Sequence, residues 1–221
     1  MTDASTGRDG PSRRLLLGNA LLFLAPGLAG CAGFIPGTGE PPQLYVLTPK
    51  TTVSPDLPRA TWQLLVDVPA APAEIDKDRI ALSRTPYTID YFANAAWPDR
   101  APAMVQQLLV ESFEATGKIA AISRESVALR ADYILRPELR QFKAVYEQPD
   151  APPTVAVRLN ARLVKMPERA IIAQIGAERR VRAAQNTMAA IVQAFDEALG
   201  SAMKPIVEWT LRTGAEGPGT G

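Results

Sequence analysis

Residues 155–164, VAVRLNARLV, show the clearest strand pattern in the chain. Apolar residues alternate there with mostly polar ones: Val155, Val157, Leu159, Ala161 and Leu163 against Arg158, Asn160 and Arg162. Because successive side chains of a strand point to opposite faces, this period of two predicts a sheet with one buried face and one solvated face.

Similar alternation on both sides extends this strand into a meander. Residues 133–146 and 171–181 each have the pattern of a long strand, with a turn at residues 167–169, so two antiparallel hairpins are predicted. The alternation changes phase near Gln141, which predicts a β-bulge. Pro137 has no N–H to donate and favours an edge position for its strand.

Four shorter strands are predicted upstream. The first two, residues 43–49 and 62–68, each end at a proline, and residues 62–68 are apolar enough to be buried on both faces of the sheet. The other two form a hairpin that turns at Thr85 and Pro86 and places Tyr87, Ile89 and Tyr91 on one face. The four segments are residues 43–49, 62–68, 80–83 and 87–92.

Two helices complete the predicted fold. Residues 100–116 carry an apolar stripe, with Asp99 as N-cap and Gly117 just past the end. Residues 187–212 form the second helix, with Thr187 as N-cap and with Pro205 expected to kink or split it. Together the elements predict an α/β (α+β) two-layer sandwich, in which both helices pack on one face of a mixed, mostly antiparallel sheet.

The N-terminus has the layout of a secretory signal. Arg13 and Arg14 precede an uncharged stretch, residues 15–30, which is too short for a membrane-spanning helix of about 20 apolar residues. Cys31, the one cysteine of the chain, follows Leu28, Ala29 and Gly30, and this sequence resembles the bacterial lipobox. The resemblance implies a diacylglyceryl cysteine that carries fatty acyl chains such as palmitate. The alternative is a buried helix followed by a loop thiol.

These features predict four segments: a lipoprotein-type signal peptide (1–30), a lipidated N-terminus and flexible tether (31–42), a single domain (43–212) and a disordered tail (213–221). Ser12, Arg13 and Arg14 also resemble a twin-arginine signal, so general and twin-arginine export remain open.

Composition excludes several functions. Residues 1–30 hold three of the 24 basic and two of the 23 acidic residues, so the remainder has no net formal charge and no excess of cations for nucleic acid. The chain has no histidine, which excludes a Ser-His-Asp triad and a histidine-based zinc site. We therefore predict no catalytic residue, no metal site and no cofactor beyond the lipid on Cys31.

Four motifs in order resemble one family, the ABC-type transport auxiliary lipoproteins, which accompany MCE-domain lipid transporters. Four segments follow Cys31 in order: a Y-x-L-x-P segment, a V-x-x-P segment, a stretch with an Asp and a downstream Ile, and an aromatic segment before the first helix. Proline directly after Trp97 departs from the family's more frequent alanine. The matching residues are Tyr45 to Pro49, Leu65 to Pro69, Ile75 to Ile80, and Tyr91, Asn94, Trp97 and Pro98.

The resemblance implies a non-catalytic accessory role in intermembrane lipid transport. Its implied partners are an MCE-domain periplasmic protein with an ABC permease and ATPase, and the membrane through the acyl chains. Ala32 follows Cys31 in place of aspartate, which under the sorting rule of enteric bacteria implies the periplasmic face of the outer membrane; the inner membrane is the alternative. Self-association into a homo-oligomer remains open.

Candidate contact residues are the aromatic Tyr45, Tyr91 and Trp97, although Trp97 equally suits a role in fastening the helix start to the sheet. Arg158, Arg162, Arg179, Arg180 and Arg182 are candidates for a cationic sheet face, unless glutamates balance them.

Two other functions remain as alternatives. A stand-alone carrier of lipid or lipopolysaccharide would need its own apolar cavity. A hydrolase with a carboxylate pair would need two carboxylates that converge in a pocket.

Overall fold

The computed structural model describes residues 41–124 and 131–216, which form eight strands and two helices. In chain order these are β1 Gln43–Leu44, β2 Ala60–Val66, β3 Arg79–Ser83, β4 Asp90–Ala96, α1 Ala101–Ala115, β5 Ile119–Ser123, β6 Tyr133–Val145, β7 Thr154–Lys165, β8 Ala170–Arg182 and α2 Met188–Glu216.

Strand β6 lies at the centre of the sheet. One side of β6 pairs with β7 along its whole length, and β7 pairs with β8, both in antiparallel register. The other side of β6 is shared by two strands: β2 runs parallel to its first residues and β3 runs parallel to its last. Strand β5 extends the sheet from β2, and β4 and then β1 extend it from β3. The predicted meander and mixed sheet are confirmed, and the antiparallel ladders are the longest.

Both helices cover one face of this sheet. Helix α2 packs across β7 and β8, α1 packs against β5 and β2, and the two helices contact each other. The inward side chains of β7, including Val155, Val157 and Leu159, are completely buried beneath them. The two-layer sandwich predicted from the sequence is therefore confirmed, because the apolar half of each alternating strand is covered by the apolar stripe of a helix.

Of the two predictions made for β6, a bulge near Gln141 and an edge position at Pro137, the structure confirms the first and contradicts the second. The register shifts between Leu139 and Gln141, which confirms the predicted bulge. The edge position predicted from Pro137 is wrong, because β6 has neighbours on both sides. The Pro137 nitrogen lies on the same side of the strand as its carbonyl, which accepts a hydrogen bond from Ala70. That side faces the gap between β2 and β3, where the missing N–H disrupts no regular ladder.

Two predicted strands, the first and the fourth, differ from the structure by three residues or more at an end, whereas the others agree within two residues. Strand β1 ends at Leu44 instead of continuing to Pro49, because the chain turns toward the helices and the Thr48 N–H bonds Asp196 Oδ1 at 2.6 Å. Strand β4 begins only at Asp90, so Tyr87 lies in the connecting loop with 95% of its surface exposed. The predicted β3–β4 hairpin is confirmed, but its turn is longer than Thr85 and Pro86 alone.

Helix termini also differ in part from the sequence patterns. The N-cap of α1 is Arg100 and not Asp99, since the Asp99 carboxylate accepts the Arg100 N–H instead of a helical one. Gly117 takes a φ of +61° just past the C-cap Thr116, as predicted. Thr187 accepts the Ala190 N–H at 3.4 Å and caps α2, as predicted.

Helix α2 continues through Pro205 and ends at Glu216. A split at Pro205 is therefore wrong, and so is the assignment of residues 213–216 to a disordered tail. Strand β5 is not among the predicted strands; it is a short edge strand whose pairing with β2 comes from tertiary contact.

Two glycines of α2 lead to opposite expectations for substitution by alanine. A Cβ on Gly214 would lie 2.3 Å from Trp62 Cζ2, whereas a Cβ on Gly200 would meet only Lys50 Cδ at 3.5 Å. We expect Gly214→Ala to destabilise the fold by about 1–3 kcal/mol through overpacking against the indole. Gly200→Ala should stabilise the helix by about 0.5–1 kcal/mol. Urea unfolding of both variants tests this, and equal shifts of the midpoint would contradict the close approach of Gly214 to Trp62.

Candidate interaction surfaces

The predicted lipid attachment site lies outside the described residues. Cys31, with Leu28, Ala29 and Gly30, precedes residue 41, and most of the tether (31–42) does so too. Lipidation therefore remains a prediction. Within residues 41–124 and 131–216, neither helix combines the length and hydrophobicity that a membrane span requires.

Tyr45 lies where the described chain enters the sheet. Its N–H donates to Ala96 O at 2.9 Å, and its half-buried ring packs against the core. The flanking Leu44 and Val46 point outward, with 57% and 70% of their surfaces exposed. The apolar surface available to a partner at this position thus belongs more to the neighbours of Tyr45 than to its ring.

Beyond Tyr45, a strap formed by residues 45–59 is fastened to both helices. In addition to the bond from Thr48 to Asp196, Lys50 N–H donates to Ser112 Oγ in α1, and Ser54 N–H donates to Glu208 Oε1 in α2, both at 2.8 Å. Buried Leu47 and Leu57 hold the strap against the core. The strap connects the start of the folded domain to the helix layer. No sequence motif predicts it, because its bonds join residues far apart in the chain.

Tyr91 is half-buried and held on several sides. Its hydroxyl donates to Glu74 O at 2.9 Å. The Arg79 guanidinium lies 4.3 Å from the ring centroid, and Lys77 Nζ lies 5.4 Å from it. Asp76 in the same segment forms an ion pair with Arg100. These contacts make Tyr91 part of a rigid charged corner and leave only part of its ring accessible.

Trp97 lies in the core with 1% of its surface exposed. Its ring centroid is 5.5 Å from that of Phe142 and 5.3 Å from that of Phe195, and the rings of Phe142 and Phe195 are 4.9 Å apart. The indole therefore fastens the start of α1 to the sheet and to α2, and it offers no surface to a partner in this conformation.

The solvated face of β6, β7 and β8 carries a cluster of cations, which we call the basic face. The register places Arg136 directly opposite Arg162, and Arg180 directly opposite Ala156. Because Ala156 and Arg162 are an even number of residues apart on β7, the side chains of Arg136, Arg162 and Arg180 share the face away from the helices. Arg179 pairs with Val157 and lies on the helix side, so the grouping of Arg179 with Arg180 on one face is wrong. The basic face consists of Arg136, Arg140, Lys143, Arg158, Arg162, Arg180 and Arg182.

Carboxylates balance this face only in part. Arg136 pairs with Asp67 at 3.1 Å, Arg140 with Glu138 at 2.9 Å and Arg158 with Glu178 at 3.7 Å. Among the described residues, no carboxylate lies within ion-pair distance of the remaining four cations, which are Lys143, Arg162, Arg180 and Arg182. The face therefore keeps an excess of positive charge.

Two open grooves lie on the basic face. One, of about 570 Å³, is lined by Arg136, Arg140 and Arg162 and by the carboxylates of Asp67 and Glu138. The other, of about 550 Å³, lies between the β3–β4 loop and the far end of the meander, and Lys143 and Arg180 line it. Tyr146 also lines this second groove; burial raises the pKa of its hydroxyl, and the Arg84 guanidinium acts in the opposite direction. The Tyr146 hydroxyl donates to Asn186 Oδ1 at 2.8 Å.

Within residues 41–124 and 131–216, no group of three or more His, Cys, Asp or Glu side chains is placed to bind a metal ion.

Comparison with known proteins identifies relatives of the folded part. A family model described as ABC-type transport auxiliary lipoprotein component matches residues 45–207, from Tyr45 to a point inside α2. The crystal structure of a protein from Xanthomonas campestris is 32% identical and superimposes with a TM-score of 0.73, covering 79% of this chain and 97% of that one. The crystal structure of an uncharacterised protein, 12% identical, shares the fold with a TM-score of 0.61 and covers 77% and 99% of the two chains.

A curated, uncharacterised protein of Bradyrhizobium diazoefficiens is 28% identical over 177 residues, which cover 79% of this chain and 47% of that protein. The chain thus spans about half the length of this curated relative.

Proposed function

The chain belongs to the ABC-type transport auxiliary lipoprotein family, and from that premise we propose that it is a non-catalytic accessory component of an ABC system that transports lipid between membranes. The family match over residues 45–207 is the observation that carries the proposal. Its partners are an MCE-domain periplasmic protein and the permease and ATPase of the same system. Membership of a lipoprotein family supports a location in the cell envelope.

The anchor is the lipidated Cys31, at the periplasmic face of the outer membrane. Two or more acyl chains hold a protein firmly, whereas a single chain gives only marginal binding. The protein then acts by position, because the lipid keeps the folded domain where the end of a transporter that crosses the periplasm can reach it.

The docking site is the free edge of β8. Among the described strands, β1, β5 and β8 have a neighbour on one side only, and they are 2, 5 and 13 residues long. An exposed sheet edge accepts a partner strand through backbone hydrogen bonds. Of the three, only β8 is long enough for an extended ladder.

The register shows which backbone groups of β8 point away from β7, on the side where no described strand pairs with β8. Ala183 N–H donates to Pro153 O across the β7–β8 ladder, and the pairing continues in steps of two through Ala177, Ile175 and Ala173. Because backbone groups alternate along a strand, the N–H groups of Gln174 and Gly176 point away from β7. These groups are available to a partner strand.

The two halves of β8 differ in protection. Residues 178–182 carry Glu178, Arg179, Arg180 and Arg182, and charges of this kind discourage edge-to-edge pairing. Residues 170–177, AIIAQIGA, carry no charge, and Ile171 exposes 61% of its surface. The unprotected half is therefore the part of the edge suited to receive a strand of the MCE-domain protein.

The grooves of the basic face are open and lined largely by charged and polar residues. An acyl chain requires an apolar cavity, so these grooves favour the docking role over a stand-alone lipid carrier.

The test is to purify the lipidated full-length protein from its own membranes and to identify bound proteins and lipids by mass spectrometry. We expect to recover an MCE-domain protein with its permease and ATPase. Recovery of stoichiometric lipid without those proteins would overturn the proposal in favour of an independent lipid carrier.

Gln174→Pro should reduce recovery of the MCE-domain protein about tenfold or more, since it removes a free-edge N–H and obstructs an incoming strand without breaking the β7 ladder. Gln174→Ala is the matched control, because it keeps the N–H, and recovery should stay native. Ile171→Lys, which places a charge on the unprotected half, provides a second variant should the proline disturb folding. Native recovery with both Gln174→Pro and Ile171→Lys would exclude the β8 edge as the docking site.

A further inference from the structure

The basic face holds cations in an arrangement that its own carboxylates do not satisfy. Arg136 and Arg162 lie directly opposite each other on neighbouring strands, a placement that is unfavourable for like charges. Asp67 pairs with Arg136, whereas no described carboxylate lies within ion-pair distance of Arg162. Lys143, Arg180 and Arg182 are in the same situation at the other end of the face. An external anion would relieve this repulsion.

The distribution of these cations selects among anions. Arg162 and Arg182 lie near opposite ends of the meander, and eight residues separate Arg162 from Thr154, the partner of Arg182. At about 3.4 Å per residue that separation is roughly 27 Å. A single small anion cannot contact charges so far apart. An extended array of anions can, and a bilayer surface is such an array.

The groove at Arg162 has the chemistry for a phosphate. Three guanidinium groups, those of Arg136, Arg140 and Arg162, line this open groove together with Asp67 and Glu138, which pair with Arg136 and Arg140. Arginine binds phosphate oxygens with paired, parallel N–H donors. Arg162 has no carboxylate within ion-pair distance among the described residues, so its guanidinium can bind a phosphodiester headgroup that enters the open groove from solvent.

The position of the domain also favours a bilayer over a soluble anion. Residues 32–42 allow a reach of at most about 36–40 Å from the acylated Cys31 to the start of the fold. Binding of a tethered domain to the surrounding headgroups is intramolecular, so a modest excess of cations suffices.

We propose that the basic face binds the anionic phospholipid headgroups of the membrane that anchors the protein. This inference rests on the anchoring at Cys31 given in the proposed function. It orients the folded domain, with the meander against the bilayer, the helix layer toward the periplasm and the β8 edge parallel to the membrane surface.

The experiment measures how close the basic face comes to the headgroups. Acylation of Cys31 leaves an introduced cysteine as the only free thiol for a fluorophore. Gln174→Cys places the label on the basic face, and Gln193→Cys places it on the exposed side of α2 as the matched control. The lipidated full-length variants are reconstituted into vesicles that contain a lipid with a nitroxide on its headgroup. The vesicles are made of phosphatidylcholine, with or without phosphatidylglycerol.

We expect quenching at position 174 to rise when phosphatidylglycerol is present, to fall again at high salt and to stay low at position 193. Changing Arg162, Arg180 and Arg182 to glutamine should weaken the association about fivefold for each cation removed. The control triple, Arg59→Gln, Arg179→Gln and Arg212→Gln, removes the same charge elsewhere and should leave quenching unchanged.

Quenching at position 174 that is independent of phosphatidylglycerol, or equal at positions 174 and 193, would overturn the proposal. If the variant with glutamine at 162, 180 and 182 no longer recovers the MCE-domain protein while its quenching is unchanged, the basic face would instead be assigned to an acidic protein partner. Failure of the transporter proposal would appear separately, as absence of transporter subunits from the wild-type purification, and it would leave the vesicle result intact.

Discussion

A chain in which Cys31 is replaced by alanine, exported behind a signal peptide that is cleaved without lipidation, is expected to appear in the soluble periplasmic fraction. The native chain should sediment with membranes. Each acyl methylene buried in a bilayer contributes about 0.8 kcal/mol, and a diacylglyceryl group supplies two full chains. No helix of the described residues can replace that anchor. The readout is membrane fractionation combined with the mass of the N-terminal peptide.

Ala32→Ser behind the native signal is the matched control and should stay in the membrane fraction, because the lipidated position is untouched. A mature N-terminal peptide without acyl mass in the native protein would contradict lipidation at Cys31. Retention of the Cys31→Ala chain on membranes after a high-salt wash would show that the anchor is not the lipid alone.

Phe195→Ala is expected to reduce the free energy of unfolding by about 3–5 kcal/mol. Phe195 is completely buried, and its ring makes edge-on contacts with Trp97 and Phe142. Truncation would leave a cavity where α2 meets the sheet and the start of α1. Since domains of this kind are stable by only about 5–15 kcal/mol, the variant should lose a large fraction of its stability. The measurement is urea unfolding followed by tryptophan fluorescence.

Tyr87→Ala is the matched control for an aromatic truncation. Tyr87 has 95% of its surface exposed, so its loss should change the free energy of unfolding by less than about 0.5 kcal/mol. Equal effects of the two substitutions would contradict the burial of Phe195.

The candidate contact residues show how far a single sequence predicts a surface. Trp97 stands beside a helix start, where an aromatic residue suits a core as well as a partner surface, and the sequence leaves both open. Phe142 and Phe195, which bury Trp97, come from 45 and 98 residues further along the chain. A set of arginines was visible in the sequence, but only the register separates Arg179 from Arg180. Only the folded side chains show which of these cations pair with a described carboxylate.

Elements with strong periodicity were predicted well, and elements that depend on neighbours were not. Strand β7 and the bulge of β6 follow from alternation, because side-chain direction along a strand is a local property. The short length of β1, the late start of β4 and the existence of β5 depend on which strand lies alongside. In addition, β1 with two residues and β5 with five carry too little pattern to predict their bounds.

The period of apolar residues is sufficient to predict the meander, the two amphipathic helices and hence the two-layer architecture, because it dictates which face each element must bury. The sequence also predicts the lipid anchor, which depends on a short local motif at Cys31. The folded chain was needed to show that Pro137 lies inside the sheet and that Trp97 is buried. It was also needed to show that β8 is an edge among the described strands and that four cations of the basic face have no described carboxylate partner. Each of these depends on contacts between distant segments, whose register and spacing no local pattern encodes.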